Sequence, residues 1–219
     1  TAAQVGAASF GVKAFDNAGN SATQNLSLNV AQSAQVQLRL AVTDADGNPL
    51  TSLSVGQAFQ LRGFAQDLRT NAFGVYAAFL DVTYDPSMAT VAGAINNGTT
   101  FTVAKAGSTA TPGLVDEVGG SSASFSGTGS DEVLLFSLPM TASKGGTLAF
   151  SGNPADLGTA HEVLVFGSDF PVSSDLVSYG TTSVNVASSF TVQNDTFNVN
   201  EDSTNTSLTL SSSSRRDIG

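Results

Sequence analysis

Cysteine is absent from the 219 residues, which excludes disulfides, thiol nucleophiles, iron–sulfur clusters and thiolate zinc sites. A secreted domain large enough to bury a core does without covalent staples, so the absence does not imply the cytosol. Cationic side chains are scarce: 8 Lys and Arg stand against 18 Asp and Glu, for a formal charge of -10. Without a cationic surface to release phosphate counterions, the chain is a poor candidate for anionic lipid, and nucleic acid is excluded as a partner. Only 12% of residues are charged, about half of the roughly 25% usual in soluble domains. No apolar run approaches the roughly 18 residues that span a bilayer, and no leader pattern opens the chain. Thr1 starts in mid-pattern, so the sequence reads as a piece of a longer protein, with any export signal outside it. Tryptophan is missing and tyrosine occurs three times, a poor stock for a flat sugar-stacking platform.

What is abundant is Gly, Ser, Thr, Asn and Ala, arranged with a period of two. Val36, Leu38, Leu40 and Val42 alternate with Gln37, Arg39 and Ala41, the pattern of a half-buried strand. Asp44 to Pro49 is turn chemistry, and Phe59 and Leu61 then share a face. Further strands are predicted at 75–84, 131–139, 147–150, 162–166 and 181–186, with Gly, Pro, Asn or Asp in most gaps. Many short, punctuated strands predict an all-β, two-sheet antiparallel β-sandwich with additional flanking strands.

The flanks differ from the middle. Phe10, Val12 and Ala14 alternate up to a turn at Asp16–Asn20, and Leu26, Leu28 and Val30 return the chain, which predicts a hairpin within residues 1–34. A two-stranded hairpin is marginal alone, so it is expected to belong to a preceding domain or to dock on this one. The main domain is placed at 35–187, of normal size. Residues 188–219 are a linker with one more strand-like stretch at Phe190–Val199.

The run Gly74-Val-Tyr76-Ala-Ala-Phe79-Leu80-Asp81-Val-Thr-Tyr84-Asp85-Pro86-Ser87-Met88-Ala-Thr-Val91 resembles the third strand of bacterial cohesin domains, where an alternating strand ends in Tyr-Asp-Pro. Residues 131–139 look like that family's central strand, and 181–186 like its closing strand. The likeness covers roughly 35–187 and implies a jelly-roll-like sandwich that docks a calcium-loaded dockerin on an outer sheet face. The segment 101–120 is longer than in the best-known members. Residues 10–30 resemble the end of an immunoglobulin-like or cadherin-like repeat, and Asn194–Asp202 the start of another. Together these resemblances imply an internal section of a large secreted bacterial surface protein.

On the strand 75–84, Tyr76, Ala78, Leu80, Val82 and Tyr84 are assigned to the core. Val75, Ala77, Phe79, Asp81 and Thr83 are assigned to the outer face, an apolar patch with an acidic neighbour that suits a protein partner. The competing reading is that the 101–120 loop or a flanking strand covers this face. Asp44, Asp46 and Asn48 alternate around Gly47 and could supply three oxygens to Ca²⁺. An EF-hand is excluded because its twelfth position is Val55, and such a turn needs no metal. Asp116 with Glu117 is a second candidate for Ca²⁺, a carboxylate pair read as lying on a loop.

His161 is the single histidine, with no helical partner for a zinc-protease motif and no Gly-x-Ser-x-Gly elbow for a triad. Asp131 and Glu132 point to opposite sides of a strand and cannot form a glycosidase pair. No enzyme signature survives. The expected function is therefore non-catalytic: an extracellular protein-recognition and cell-surface assembly module, docking a dockerin-type partner or neighbouring repeats and needing no cofactor. A structural spacer or protomer of a surface fibre, layer or adhesin, with homo-assembly, is the rival reading. Carbohydrate binding is the third.

Overall fold

In a computed structural model of the chain, residues 6–30 and 32–188 are described. The stretch Phe190–Val199 and the rest of the 188–219 segment beyond Ser188 lie outside the described residues. Two strands, β1 (Gly6–Phe15) and β2 (Ser21–Val30), form a separate two-stranded sheet. Its turn is closed by Asp16, whose carboxylate accepts hydrogen bonds from Ala18 N, Asn20 N and Asn20 Nδ2. The hairpin expected from alternation is present, and the side chains described in it, from Gly6 to Asn29, stay exposed or half-exposed instead of docking on the sandwich.

The remaining strands run in chain order: β3 (Val36–Thr43), β4 (Ser52–Ser54), β5 (Ala58–Asp67), β6 (Val75–Tyr84), β7 (Ala89–Val91), β8 (Asn96–Asn97), β9 (Val103–Ser108) and β10 (Leu114–Ser121). They are followed by β11 (Val133–Ala142), β12 (Gly146–Pro154), β13 (Leu164–Val165), β14 (Val177–Tyr179) and β15 (Thr181–Ala187). One sheet is ordered β4-β15-β12-β6-β10-β9, with β13 also on β6; the other is ordered β14-β3-β5-β11-β7, with β8 also on β11. Pairing is antiparallel except for β14 on β3 and β15 on β4. The two-sheet sandwich is therefore as the alternation predicts, with short parallel pairings at the rims.

The core lies between the sheets. Val36, Leu38, Leu40 and Val42 from β3 meet Leu80 and Val82 from β6, Leu148 and Phe150 from β12, and Leu135, Leu138 and Met140 from the β11 region. Burying such aliphatic and aromatic chains contributes about 1.5–3 kcal/mol each. Gly63 sits opposite Phe136, whose ring lies so close that a Cβ at 63 would fall 2.2 Å from its Cε1. The bulky ring fills the core because its neighbour has no side chain.

Two expectations need correction. The segment 101–120 is no long loop: it holds β9 and all but the last residue of β10, which extend the sheet from β6. The alternation of β6 also slips. Val75 and Ala78 both face the core, so Tyr76 is turned outward and Val75 inward, the reverse of the sequence assignment. The slip falls where Gly74, at φ +106°, starts the strand and where β13 joins it with a register shift. From Ala78 onward the assignment of Ala78, Leu80 and Val82 to the core holds.

Candidate functional site

The outer face of β6 is built by an excursion of its neighbour. β12 pairs with β6 up to Pro154 opposite Leu80, then leaves the sheet, and the chain returns as β13 with Leu164 opposite Ala77. Residues 155–163 arch over the gap, and the His161 ring stacks on the Phe79 ring at 4.4 Å between centroids, 16° from parallel. Val75 is buried in the core, and Ala77, Phe79 and Asp81 are buried too; only Thr83 of the five outer-face residues is exposed. The expected open patch is thus absent: Val75 turns into the core, and the 155–163 arch, held by Glu117 of the 101–120 segment, lays His161 on Phe79. The sequence read 162–166 as an ordinary strand, with no signal that its approach would cross a sheet face.

Glu117 latches the arch. It stands in β10 at a bulge between Val115 and Val118, with φ of 54°, so the Asp116–Glu117 pair belongs to a strand and not to a loop. Its Oε1 accepts hydrogen bonds from Asp156 N at 2.7 Å and Leu157 N at 2.6 Å, and its Oε2 meets His161 Nδ1 at 2.5 Å. The strained backbone directs the carboxylate: its own N–H donates to Asp81 Oδ1 at 2.7 Å. Burial pushes the Glu117 carboxyl up, but His161 and the two backbone donors outweigh it and hold it below its ordinary value. Asp81 goes the other way, raised by burial and by the charges of Glu117, Asp116 and Asp156.

Those four carboxylates each offer an oxygen within 4.8 Å of the others, an all-oxygen donor set of the type hard cations such as Ca²⁺ prefer. Asp81 was assigned by sequence to a partner face, and Asp116 and Glu117 to metal; the fold brings the three together and adds Asp156. The other proposed metal turn is built differently. Asp44 gives Oδ1 to Asn48 N and Oδ2 to Asn48 Nδ2, both at 2.8 Å, while Arg62 donates to Ala45 O and lies against Gly47. Both Asp44 oxygens are spent within the turn, Asp46 is exposed, and a guanidinium stands where a cation would be repelled.

A second feature lies where β6 begins. Tyr76, 38% exposed, packs edge-on against Phe166 at 5.3 Å, and these two with Phe125, Leu164 and Val165 line a groove of about 270 Å³. Phe125 projects fully into solvent from the Ser/Gly-rich stretch 121–130, and Phe73 is exposed nearby, its carbonyl accepting from Gly129 N. Asp67 organises this end. Its buried carboxylate accepts from Arg69 Nε and Nη2, from Arg69 N, and from the amides of Phe73 and Gly74. Arg69 Nη2 also donates to Phe166 O at 3.2 Å, fixing the backbone that carries the ring. Burial raises the Asp67 carboxyl, yet Arg69 and the backbone donors bring it below its ordinary value.

No protein-family model matches the chain, and no curated protein matches it. Among solved structures, it is similar to the cohesin module of a Clostridium perfringens family 33 glycoside hydrolase, at 14% identity and TM-score 0.46, over 69% of this chain and 98% of that one. It is similar to the cohesin CaCohA2 of Clostridium acetobutylicum, at 17% identity and TM-score 0.45, over 70% of this chain and 93% of that one. A third is the sixth cohesin of Acetivibrio cellulolyticus scaffoldin B, solved with a dockerin, at 15% identity and TM-score 0.47, over 69% of this chain and 99% of that one.

Proposed function

We propose that residues 35–187 are a non-catalytic protein-recognition module of the cohesin kind, borne on the outside of a bacterial cell and engaging a dockerin-type partner. The observation that carries the reading is the aromatic groove at the start of β6, where Tyr76, Phe125 and Phe166 expose apolar area next to a rigid strand. Exposed aromatic clusters of this kind form the energetic centre of protein interfaces, with polar residues at the rim fixing register. The charge of -10 favours a partner with basic side chains around an apolar anchor, since like-charged surfaces are rejected at close range. The Gly74–Val91 motif supports the dockerin class, and the groove shifts the contact from the middle of β6 to its first turn.

Tyr76 turned outward also restores one ring of the type that stacks on sugars, but the rings beside it are Phe, without a polar handle. Capture of the native chain by immobilised dockerin modules, in calcium and after chelation, is the test. Calcium-dependent capture that is lost in Tyr76→Ser supports the reading. Indifference to every dockerin, together with retention on a glycan array, contradicts it.

A further inference from the structure

Among the described residues nothing covers the apolar face of the hairpin β1–β2, and we infer that this face is the contact through which two copies of this chain associate. Its register places Phe10 opposite Leu26, Ala8 opposite Leu28, Val12 opposite Gln24 and Ala14 opposite Ala22. Alternation sends all eight to one side of the ribbon. The exposures are 51% for Phe10, 49% for Val12, 42% for Leu26 and 55% for Leu28. Ser9, Lys13, Asn25, Ser27 and Asn29 occupy the other side, where the Lys13 ammonium lies 5.0 Å from the Phe15 ring. A ribbon with one greasy and one polar side is half of a two-layer structure, and a lone two-stranded sheet is marginal in water.

Charge and size favour a second copy as the occupant. Residues 6–30 contain one Lys and one Asp and are neutral, while the whole chain carries -10. Elsewhere two copies meet with like charge; on this face no ionisable side chain is present. Self-complementarity is supplied by symmetry, since a two-fold axis through the Phe10–Leu26 pair sets aromatic and aliphatic side chains of one ribbon on those of the other. The exposed apolar area is on the order of 400 Å² per chain, enough to mark an interaction site. Face-to-face stacking then buries roughly 800 Å² in total, the size of a weak, concentration-dependent contact. This inference stands apart from dockerin recognition, which uses Tyr76, Phe125 and Phe166 and none of the hairpin residues.

Sedimentation of the full chain from about 1 µM to 1 mM, the range expected of so small an interface, tests it. Reversible dimerisation is expected, abolished by Phe10→Lys with Leu28→Lys. Because the chain has no cysteine, single introduced thiols report geometry without disturbing the face. Gln24→Cys, on the apolar side, should oxidise rapidly to a covalent dimer, and Asn25→Cys, on the polar side, should not. A chain that stays monomeric at 1 mM overturns the inference and leaves the face to a different module. Equal cross-linking from both thiols overturns it as well.

Discussion

The imidazole of His161 lies flat on the phenyl ring of Phe79, 4.4 Å between centroids, with its Nδ1 tied to Glu117. This contact is what closes the outer face of β6 at Phe79. The arch 155–163 has little regular structure of its own, so it is held by the stack and by the three contacts to Glu117. His161→Ala is expected to destabilise the domain by about 1–2 kcal/mol, measured by denaturant unfolding. Amide exchange at Ala77–Phe79 should speed up while that at Leu38–Leu40 changes little. Unchanged exchange at 77–79 would show that the arch is held by other means.

The carboxylate cluster of Asp81, Asp116, Glu117 and Asp156 gives a metal prediction. Four acids within reach of one another, two of them (Asp81 and Glu117) buried, repel unless a cation or a proton intervenes. Millimolar Ca²⁺ is expected to raise the melting temperature of the native chain by linkage, and to leave that of Asp116→Asn with Asp156→Asn unmoved. Asp44→Asn should not alter the calcium response, because its oxygens already serve Asn48. A calcium response that follows Asp44 instead would return the metal to the turn.

Much of this was readable in the residues and some was not. The sandwich followed from alternation, because a period of two with one buried face specifies both strand and orientation. Val36, Leu38, Leu40 and Val42 are buried as their spacing demands. The hairpin 6–30 was equally legible. The outward turn of Tyr76 was not, since a one-residue slip after Gly74 leaves no mark in a run of Val, Tyr, Ala, Ala and Phe that is apolar on both faces. Asp116 and Glu117 stand out in the sequence as adjacent acids, but their partners are Asp81 on β6 and Asp156 just beyond the end of β12, brought together because β10 and β12 pair on either side of β6. Asp67 belongs to no motif in the sequence; its five donors are gathered by the chain folding back at 69–74.

Asp67 also sets an acid limb. Its folded pKa is depressed from the 3.8 of a free Asp, so its contribution to stability is complete above that value and is lost as pH falls through the folded one. Asp67→Asn should cost about 2–4 kcal/mol at pH 7, by loosening Arg69 and the amides of Phe73 and Gly74. The deficit relative to the native chain should shrink as pH falls below 3.8. Denaturation midpoints at pH 7 and pH 3 check this; a deficit that is constant with pH would contradict the assigned role of the charge.

Gly63 and Phe136 offer a packing test. A methyl at 63 would meet the Phe136 ring at 2.2 Å, so Gly63→Ala is expected to cost about 1–3 kcal/mol or more through overpacking. Phe136→Leu should recover part of that loss, giving a favourable coupling in the double-mutant cycle. Additive losses would mean that the strain is relieved elsewhere.

The most direct measurement is calorimetric titration of the full chain with a dockerin module that it captures, comparing substitutions at the two ends of β6. With the groove of Tyr76, Phe125 and Phe166 as the recognition centre, Phe166→Ser should weaken binding at least tenfold, about 1.4 kcal/mol or more. Thr83→Lys, on the exposed far end of the same strand, should leave affinity within about twofold, a difference below roughly 0.5 kcal/mol. The reverse outcome, with binding abolished by Thr83→Lys and untouched by Phe166→Ser, would contradict the account.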